Sequence, residues 1–169
     1  ISVGLPIKRK GIDDFIKLAE LMPEYEFVWF GKLNPSVIPS EIKKLIDNAS
    51  ANLHFPGYIS SDKLRTAYSG SDLYVFLTHE ETEGIVLLEA LATKADILIR
   101  VIEIFEKDYV DGKNIYKGKN FDDFKGKIKA ILSGDLPSLA ENAYEIARNK
   151  SIENTGRKLV AFYEKVLKL

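Results

Sequence analysis

The stretch Glu81-Thr82-Glu83-Gly84-Ile85-Val86-Leu87-Leu88-Glu89-Ala90-Leu91-Ala92 places acids where a ligand with vicinal hydroxyls could meet them. It follows an apolar run, Leu73-Tyr74-Val75-Phe76-Leu77, that reads as a buried strand. Acids and Gly84 then open a strongly apolar helix, and Glu89 sits inside that helix between Leu88 and Ala90. A carboxylate accepts paired hydrogen bonds from adjacent hydroxyls, which suits a ribose or a hexose. Free backbone N–H groups around Gly84 and Ile85 suit a phosphate or a sugar oxygen. The alternative is structural: Glu81 and Glu83 favour the helix dipole, and Glu89 pairs with a neighbouring Lys or Arg. An unpaired acid in the second turn of a core helix costs free energy, so Glu89 is expected to have a partner or a ligand.

A second candidate is Gly4-Leu5-Pro6-Ile7-Lys8-Arg9-Lys10-Gly11. A glycine after a strand, three basic residues and a helix start suit a phosphate group. The glycine-lysine-serine/threonine ending of a P-loop is missing, as is a dinucleotide glycine fingerprint. A solvated basic loop is the competing explanation. His54 and His79 are the two histidines, both at strand ends, and His79 stands nearer the acids. A histidine beside a strand is more often a structural hydrogen-bonder than a base. Two distant histidines and no cysteine give no metal-ligand spacing, and no strained serine elbow occurs. Trp29 and the other aromatics are expected to fill core.

The elements that must position these residues alternate between strand and helix. Strands are expected at Ile1–Val3, Glu26–Phe30, Asn52–Phe55, Leu73–Leu77 and Asp96–Val101. Helices are expected over Gly11–Met22, from Pro39-Ser40 through Ile46, from Ser61-Asp62 through Tyr68, and over the acidic segment. After the Asp111-Gly112 turn the chain reads as helical: Phe121–Leu132, then Leu136 to the end with a break near Ser151. This rhythm implies an α/β fold, a doubly wound parallel sheet with a helical C-terminal segment. Crossovers should be right-handed. Ligands in such sheets sit beyond the carboxyl ends of the strands, here the loops Gly4–Gly11, Gly31–Pro35, Gly57–Ser61, His79–Gly84 and Arg100–Phe105. Leu33–Pro39 reads as a surface loop.

The 169 residues fit one domain with a proper core. With 46% hydrophobic and 29% charged residues the chain should be globular and soluble. A net charge of -1 gives no global pull toward nucleic acid. The absence of cysteine removes disulfides and thiolate chemistry and fits a reducing cytoplasm. No apolar run approaches a membrane span, and no signal peptide is visible. The chain starts at Ile1, in an apparent strand, which suggests a fragment of a longer protein. Leu159, Phe162, Tyr163, Val166 and Leu167 form an apolar stripe on the last helix, expected to pack mostly on its own domain.

Taken together, these segments resemble the C-terminal, nucleotide-sugar-binding domain of GT-B glycosyltransferases of the large retaining family 4, over nearly the whole chain. Glu81 and Glu89 look like the family's paired glutamates, with seven residues between them. Gly84, Leu88, Ala90 and Ala92 fall on the surrounding pattern. Gly4 and Lys10-Gly11 resemble the glycine/basic loop, Phe55, Gly57 and Tyr58 the phenylalanine-x-glycine-aromatic turn, and Asp111-Gly112-x-Asn114 the late turn. The resemblance implies a Rossmann-like fold and a set of roles. Lys10 would neutralise the diphosphate, with Arg9 close by in the same loop. Glu89 would bind ribose hydroxyls and Glu81 the donor hexose. Backbone N–H groups at Gly84, Ile85 and Val86 would support sugar and phosphate, and Tyr58 and Ile59 would border the base. Lys10 and Glu81 would be the catalytic pair. No metal and no cofactor are implied beyond a nucleoside-diphosphate sugar as donor, UDP-glucose in the first instance.

Within the family, Glu81-Thr82-Glu83-Gly84-Ile85-Val86 and Arg9-Lys10-Gly11 resemble bacterial diacylglycerol glucosyltransferases; other members build capsular or exopolysaccharide. The implied acceptor is a lipid or a saccharide, bound by an N-terminal domain. The implied location is cytoplasmic, with peripheral contact at the inner face of the cell membrane. Three positions depart from the pattern: Leu5 stands where arginine is usual, and Lys94 and Asp96 where glycine and then proline are common. They motivate a second hypothesis, a non-catalytic nucleotide-binding or interaction module. A phospho-acceptor regulator is disfavoured, because Asp96 begins a strand.

Overall fold

The computed structural model describes residues 1–32, 36 and 38–167. The loop expected over Leu33–Pro39, and with it the end of the Gly31–Pro35 loop, falls largely outside the described residues. In chain order the elements are β1 (Ser2–Val3), α1 (Ile12–Leu21), β2 (Phe27–Phe30), α2 (Ser40–Asp47), β3 (Leu53–Gly57), α3 (Ser61–Gly70), β4 (Tyr74–Phe76), α4 (Ile85–Ala92), β5 (Ile97–Arg100), β6 (Tyr116–Gly118), α5 (Phe121–Ser133), α6 (Ala140–Asn149) and α7 (Ile152–Leu167).

All paired strands are parallel. One group has the order β1-β2-β3, the other β4-β5-β6. Ile1, just ahead of β1, joins them: its carbonyl accepts from Val75 N–H at 2.8 Å, and its ammonium donates to Leu73 O at 2.7 Å. The combined order, β3-β2-β1-β4-β5-β6, is that of a doubly wound sheet whose direction of travel switches between β1 and β4. Side chains alternate across it. Val75 and Leu98 enter one core with Phe15, Trp29 and Phe124, whereas Tyr74, Phe76, Ile97 and Ile99 enter the other with Leu87, Phe105 and Ala143. Burial on both faces explains why these strands read as continuous apolar runs instead of alternating ones.

Two elements differ from the sequence expectation. β6 falls in a stretch expected to lead straight into helix. Its Tyr116-Lys117-Gly118 has one lysine between apolar neighbours, and only pairing with β5 at Leu98–Arg100 makes it a strand. The final helices divide at Lys150-Ser151 as expected, but α7 has no buried residue. Phe162 is 61% exposed and Leu167 84%, so the expectation that this stripe packs on its own domain is overturned. The stripe is apolar, but α7 runs clear of the sheet and faces water.

Candidate functional site

The site lies where β1 and β4 end side by side. After β1 the chain passes Gly4 and closes a 3₁₀ turn at Lys8–Lys10, and Gly11 then opens α1. Gly11 has φ +77, and a Cβ there would stand 2.3 Å from Leu77 O, so only glycine lets the basic loop lie against the end of β4. After β4 the chain runs through Thr78–Glu83 to Gly84, with φ +75, which caps α4.

A set of contacts ties the two loops together. Arg9 O accepts from His79 N–H at 2.9 Å and from the buried Thr78 hydroxyl at 3.1 Å. Arg9 Nη1 donates to Glu80 O at 3.3 Å. At their centre Lys10 Nζ meets Glu81 Oε2 at 2.5 Å, with the two side chains only 17% and 8% exposed. Burial alone would raise the Glu81 carboxyl's pKa. The hydrogen bonds from Lys10 and the Thr82 N–H, with the charges of Lys10 and Arg9, overcome it, and the net pKa lies below the ordinary carboxylate value. Beneath the loops, Asp14 of α1 lies 2.8 Å from His79 Nε2 and pairs with Arg100 at the end of β5. Arg100 Nε also donates to Leu77 O at 3.0 Å. Asp13, Asp14 and His79 bring ligand-type atoms within 4.8 Å of one another, a juxtaposition the linear spacing of histidines hid; Asp14 is already committed to Arg100 and His79.

Of the expected site residues, Gly4, Lys10, Glu81 and Gly84 come together. A Cβ on Gly4 would contact Lys10, and one on Gly84 would contact Glu81. Arg9 is exposed at the rim, and Lys8 turns away to Glu41 at 3.0 Å. The N–H groups of Ile85 and Val86 precede the first intrahelical bonds of α4, which run from Leu87 and Leu88 to Gly84 O. Glu80, Glu81 and Glu83 all lie ahead of that helix; its first turn carries no acid. Tyr58, 76% exposed, and Ile59 line a 220 Å³ cleft with Gly4, Leu5, Lys32 and Leu64. Leu64 also lines a 270 Å³ cleft with Tyr68 and Glu89.

Glu89 is not where the sequence argument put it. It is exposed, because the core-facing residues of α4 are Leu87, Ala90 and Leu91, and position 89 turns toward α3 and water. The cost of burying a charge therefore does not apply. Nor does the structural alternative: no Lys or Arg among the described residues pairs with Glu89, and its one hydrogen bond is from Tyr68 Oη, at 3.4 Å. His79 sits at the edge of the site, where its backbone N–H donates to Arg9 O and its ring stands beside Asp14. His54 pairs with Glu26 on the surface. Asp111 and Asn114 hold the late turn: Asp111 accepts from Lys117 N–H at 2.7 Å, and Asn114 accepts from Val110 N–H at 2.8 Å. Asp96 lies just ahead of β5 and accepts from Ser138 Oγ at 2.7 Å and Leu139 N–H at 3.2 Å. Thr78, Asp14, Arg100 and Tyr68 were missed. The signal for both Thr78, just past β4, and Arg100, the polar last residue of β5, was present; Asp14 reads as ordinary first-turn acid and Tyr68 as core.

A doubly wound parallel sheet with a basic loop and an acid-rich loop facing each other across its switch point is the architecture of a Rossmann-like α/β domain. Residues 1–150 match the family described as Glycosyl transferases group 1, and the chain belongs to that family, as a GT-B C-terminal domain. It is 38% identical over 169 residues to the processive diacylglycerol alpha-glucosyltransferase of Acholeplasma laidlawii, covering 100% of this chain and 51% of the relative. It is 31% identical over 170 residues to the alpha-galactosylglucosyldiacylglycerol synthase of Streptococcus pneumoniae, covering 98% of this chain and 45% of the relative. The chain thus spans about half the length of these curated relatives. The fold also matches the crystal structure of Anabaena HepE in complex with UDP and glucose, with a TM-score of 0.79 at 17% identity, over 99% of this chain and 47% of that one.

Proposed function

We propose that this chain is the donor-binding half of a glycosyltransferase that moves a hexose, glucose in the first instance, from a nucleoside-diphosphate sugar to a diacylglycerol-type lipid. The observation that carries the reading is the Lys10–Glu81 pair, bridging the loops after β1 and β4, with the first turn of α4 beside it. Lys10 and the α4 N–H groups receive the diphosphate, Glu81 the hexose hydroxyls, Glu89 the ribose, and Tyr58 and Ile59 border the base. As the donor bond breaks, negative charge gathers on the departing diphosphate. Fixed positive charge from Lys10, Arg9 and the helix N-terminus stabilises it there, so this reading calls for no metal. The lipid acceptor is inferred from the names of the curated relatives, whose other half would bind it.

The bare apolar face of α7 supports the same division of labour, since it suits packing against a second domain of the same protein. No described helix is long and apolar enough to cross a membrane. We place the enzyme in the cytoplasm, with peripheral contact at the inner membrane face where its lipid resides.

Calorimetric titration with UDP, UDP-glucose and GDP-mannose, alongside Lys10→Ala and Glu89→Ala, tests the donor site. Selective UDP binding that both variants lose is the expected result. A folded full-length protein that binds none of the three, and transfers no sugar to diacylglycerol, would sink the proposal.

A further inference from the structure

Glu89 stands on an exposed helix position with no cation partner among the described residues, yet a ribose-binding carboxylate must be held in one orientation to accept two hydroxyls at once. The neighbour that can do this is Tyr68. Its side chain is 1% exposed, and its ring packs edge-on against Tyr74 with centroids 5.3 Å apart, so the phenol has little freedom. From α3 its oxygen reaches across to α4, 3.1 Å from Val86 O and 3.4 Å from Glu89 Oε2. The one phenol proton is thus shared between two acceptors of α4, the nearer Val86 carbonyl and the Glu89 carboxylate. Both side chains also line the one 270 Å³ cleft between α3 and α4.

We propose that Tyr68 is a positioning residue for nucleotide recognition, its hydroxyl orienting the Glu89 carboxylate toward the vicinal hydroxyls of the donor's ribose. The inference rests on the donor-site reading above. Burial and the adjacent Glu89 charge raise the phenol's pKa well beyond its usual value, so the group is a hydrogen-bond donor at every working pH. A carboxylate has about four acceptor positions. The contact to Oε2 occupies one, and the remaining ones serve the sugar.

The test compares UDP with 2′,3′-dideoxy-UDP, which lacks both hydroxyls, on the full-length protein. Tyr68→Phe keeps the ring against Tyr74 and removes one oxygen. Circular dichroism and Tm confirm that the variant is folded. The expected result is that Tyr68→Phe weakens UDP about three- to tenfold, the scale of one hydrogen bond, while dideoxy-UDP binding is unchanged. In a Glu89→Ala background the same change should cost nothing further, because the carboxylate it orients is gone. Equal weakening of both nucleotides, or an undiminished effect in the Glu89→Ala background, would overturn the proposal and mark Tyr68 as packing alone. If Glu89→Ala abolishes the preference for UDP over the dideoxy compound but Tyr68→Phe keeps it, the positioning role fails and the donor site stands. If the wild-type protein shows no preference at all, the donor-site reading fails, and this inference with it.

Discussion

Glu81 and Glu89 belong to one short motif, share a side chain and were assigned to one ligand, but the fold gives them opposite surroundings. Glu81 lies in a loop, nearly enclosed, and bonded to Lys10 of the opposite loop at 2.5 Å. Glu89 lies on a helix, exposed, with a single phenol beside it. The first carboxylate is part of what holds the two halves of the site together. The second is available to a ligand without first leaving a cation. Two glutamates at a fixed spacing mark a place on the fold; what each is free to do depends on which groups the tertiary structure brings against it.

The largest effect is expected where the comparison is sharpest. Lys10→Ala should lower sugar transfer by the full-length enzyme about 10²–10³-fold, the range seen when one group that stabilises developing charge is removed. Glu81→Gln should lower kcat as well, because it weakens the bond that holds Lys10 in place and the contacts to the hexose. Glu89→Gln should instead act chiefly on KM for the donor, with a smaller change in kcat, because ribose contacts are the same in ground and transition states. Steady-state kinetics of the three variants separates the roles. If all three lowered kcat alike, the division of roles between the two glutamates would fall.

A second prediction concerns the clamp that Glu81 belongs to. Gly11→Ala would force a side chain into Leu77 O from a left-handed backbone. It should destabilise the protein by about 2–3 kcal/mol, the scale of such strain, and loosen the Lys10–Glu81 contact with it. Asp14→Asn should cost less, about 1–2 kcal/mol, by weakening the contacts with Arg100 and His79 under the same loops. Urea midpoints at constant m-value measure both. Glu89→Ala, measured alongside, should move the midpoint little, because Glu89 is exposed and its contact with α3, from Tyr68 Oη at 3.4 Å, is long.

Much of this could be read from the residues. The long apolar runs at Leu73–Leu77 and Asp96–Val101 could only be strands covered on both faces, and the break near Ser151 and the helix at Gly11–Met22 were equally clear. β6 was hidden because three residues with a lysine at the centre carry no period; its partner strand creates it. The meeting of Lys10 with Glu81 was legible only as two segments facing one switch point. The bond between them, and the Asp14–Arg100 support below, join residues far apart in sequence through tertiary packing. The exposure of Glu89 was misread because an apolar helix suggests a core helix on every side, whereas α4 buries one face and turns position 89 away from it.

The smallest effect is an acid-dependent loss of stability at Glu81. Glu81's pKa is depressed from the ordinary 4.5 by Lys10 and its neighbours, against the opposing effect of burial. A depressed carboxyl stabilises the folded state fully above its unfolded value, and the contribution disappears as the pH falls through the lower folded value. The Tm of the wild-type protein should therefore exceed that of Glu81→Gln by about 1–4 °C at pH 7. The gap should hold constant between pH 6 and pH 8, and close progressively below pH 4.5 as Glu81 takes up its proton and releases Lys10. Glu89→Gln, with no cation to release, should show a smaller gap at pH 7. A Glu81→Gln gap that widened with acid would have the wrong sign for a stabilising ion pair, and would mean that the Lys10–Glu81 contact does not hold the loops together in solution.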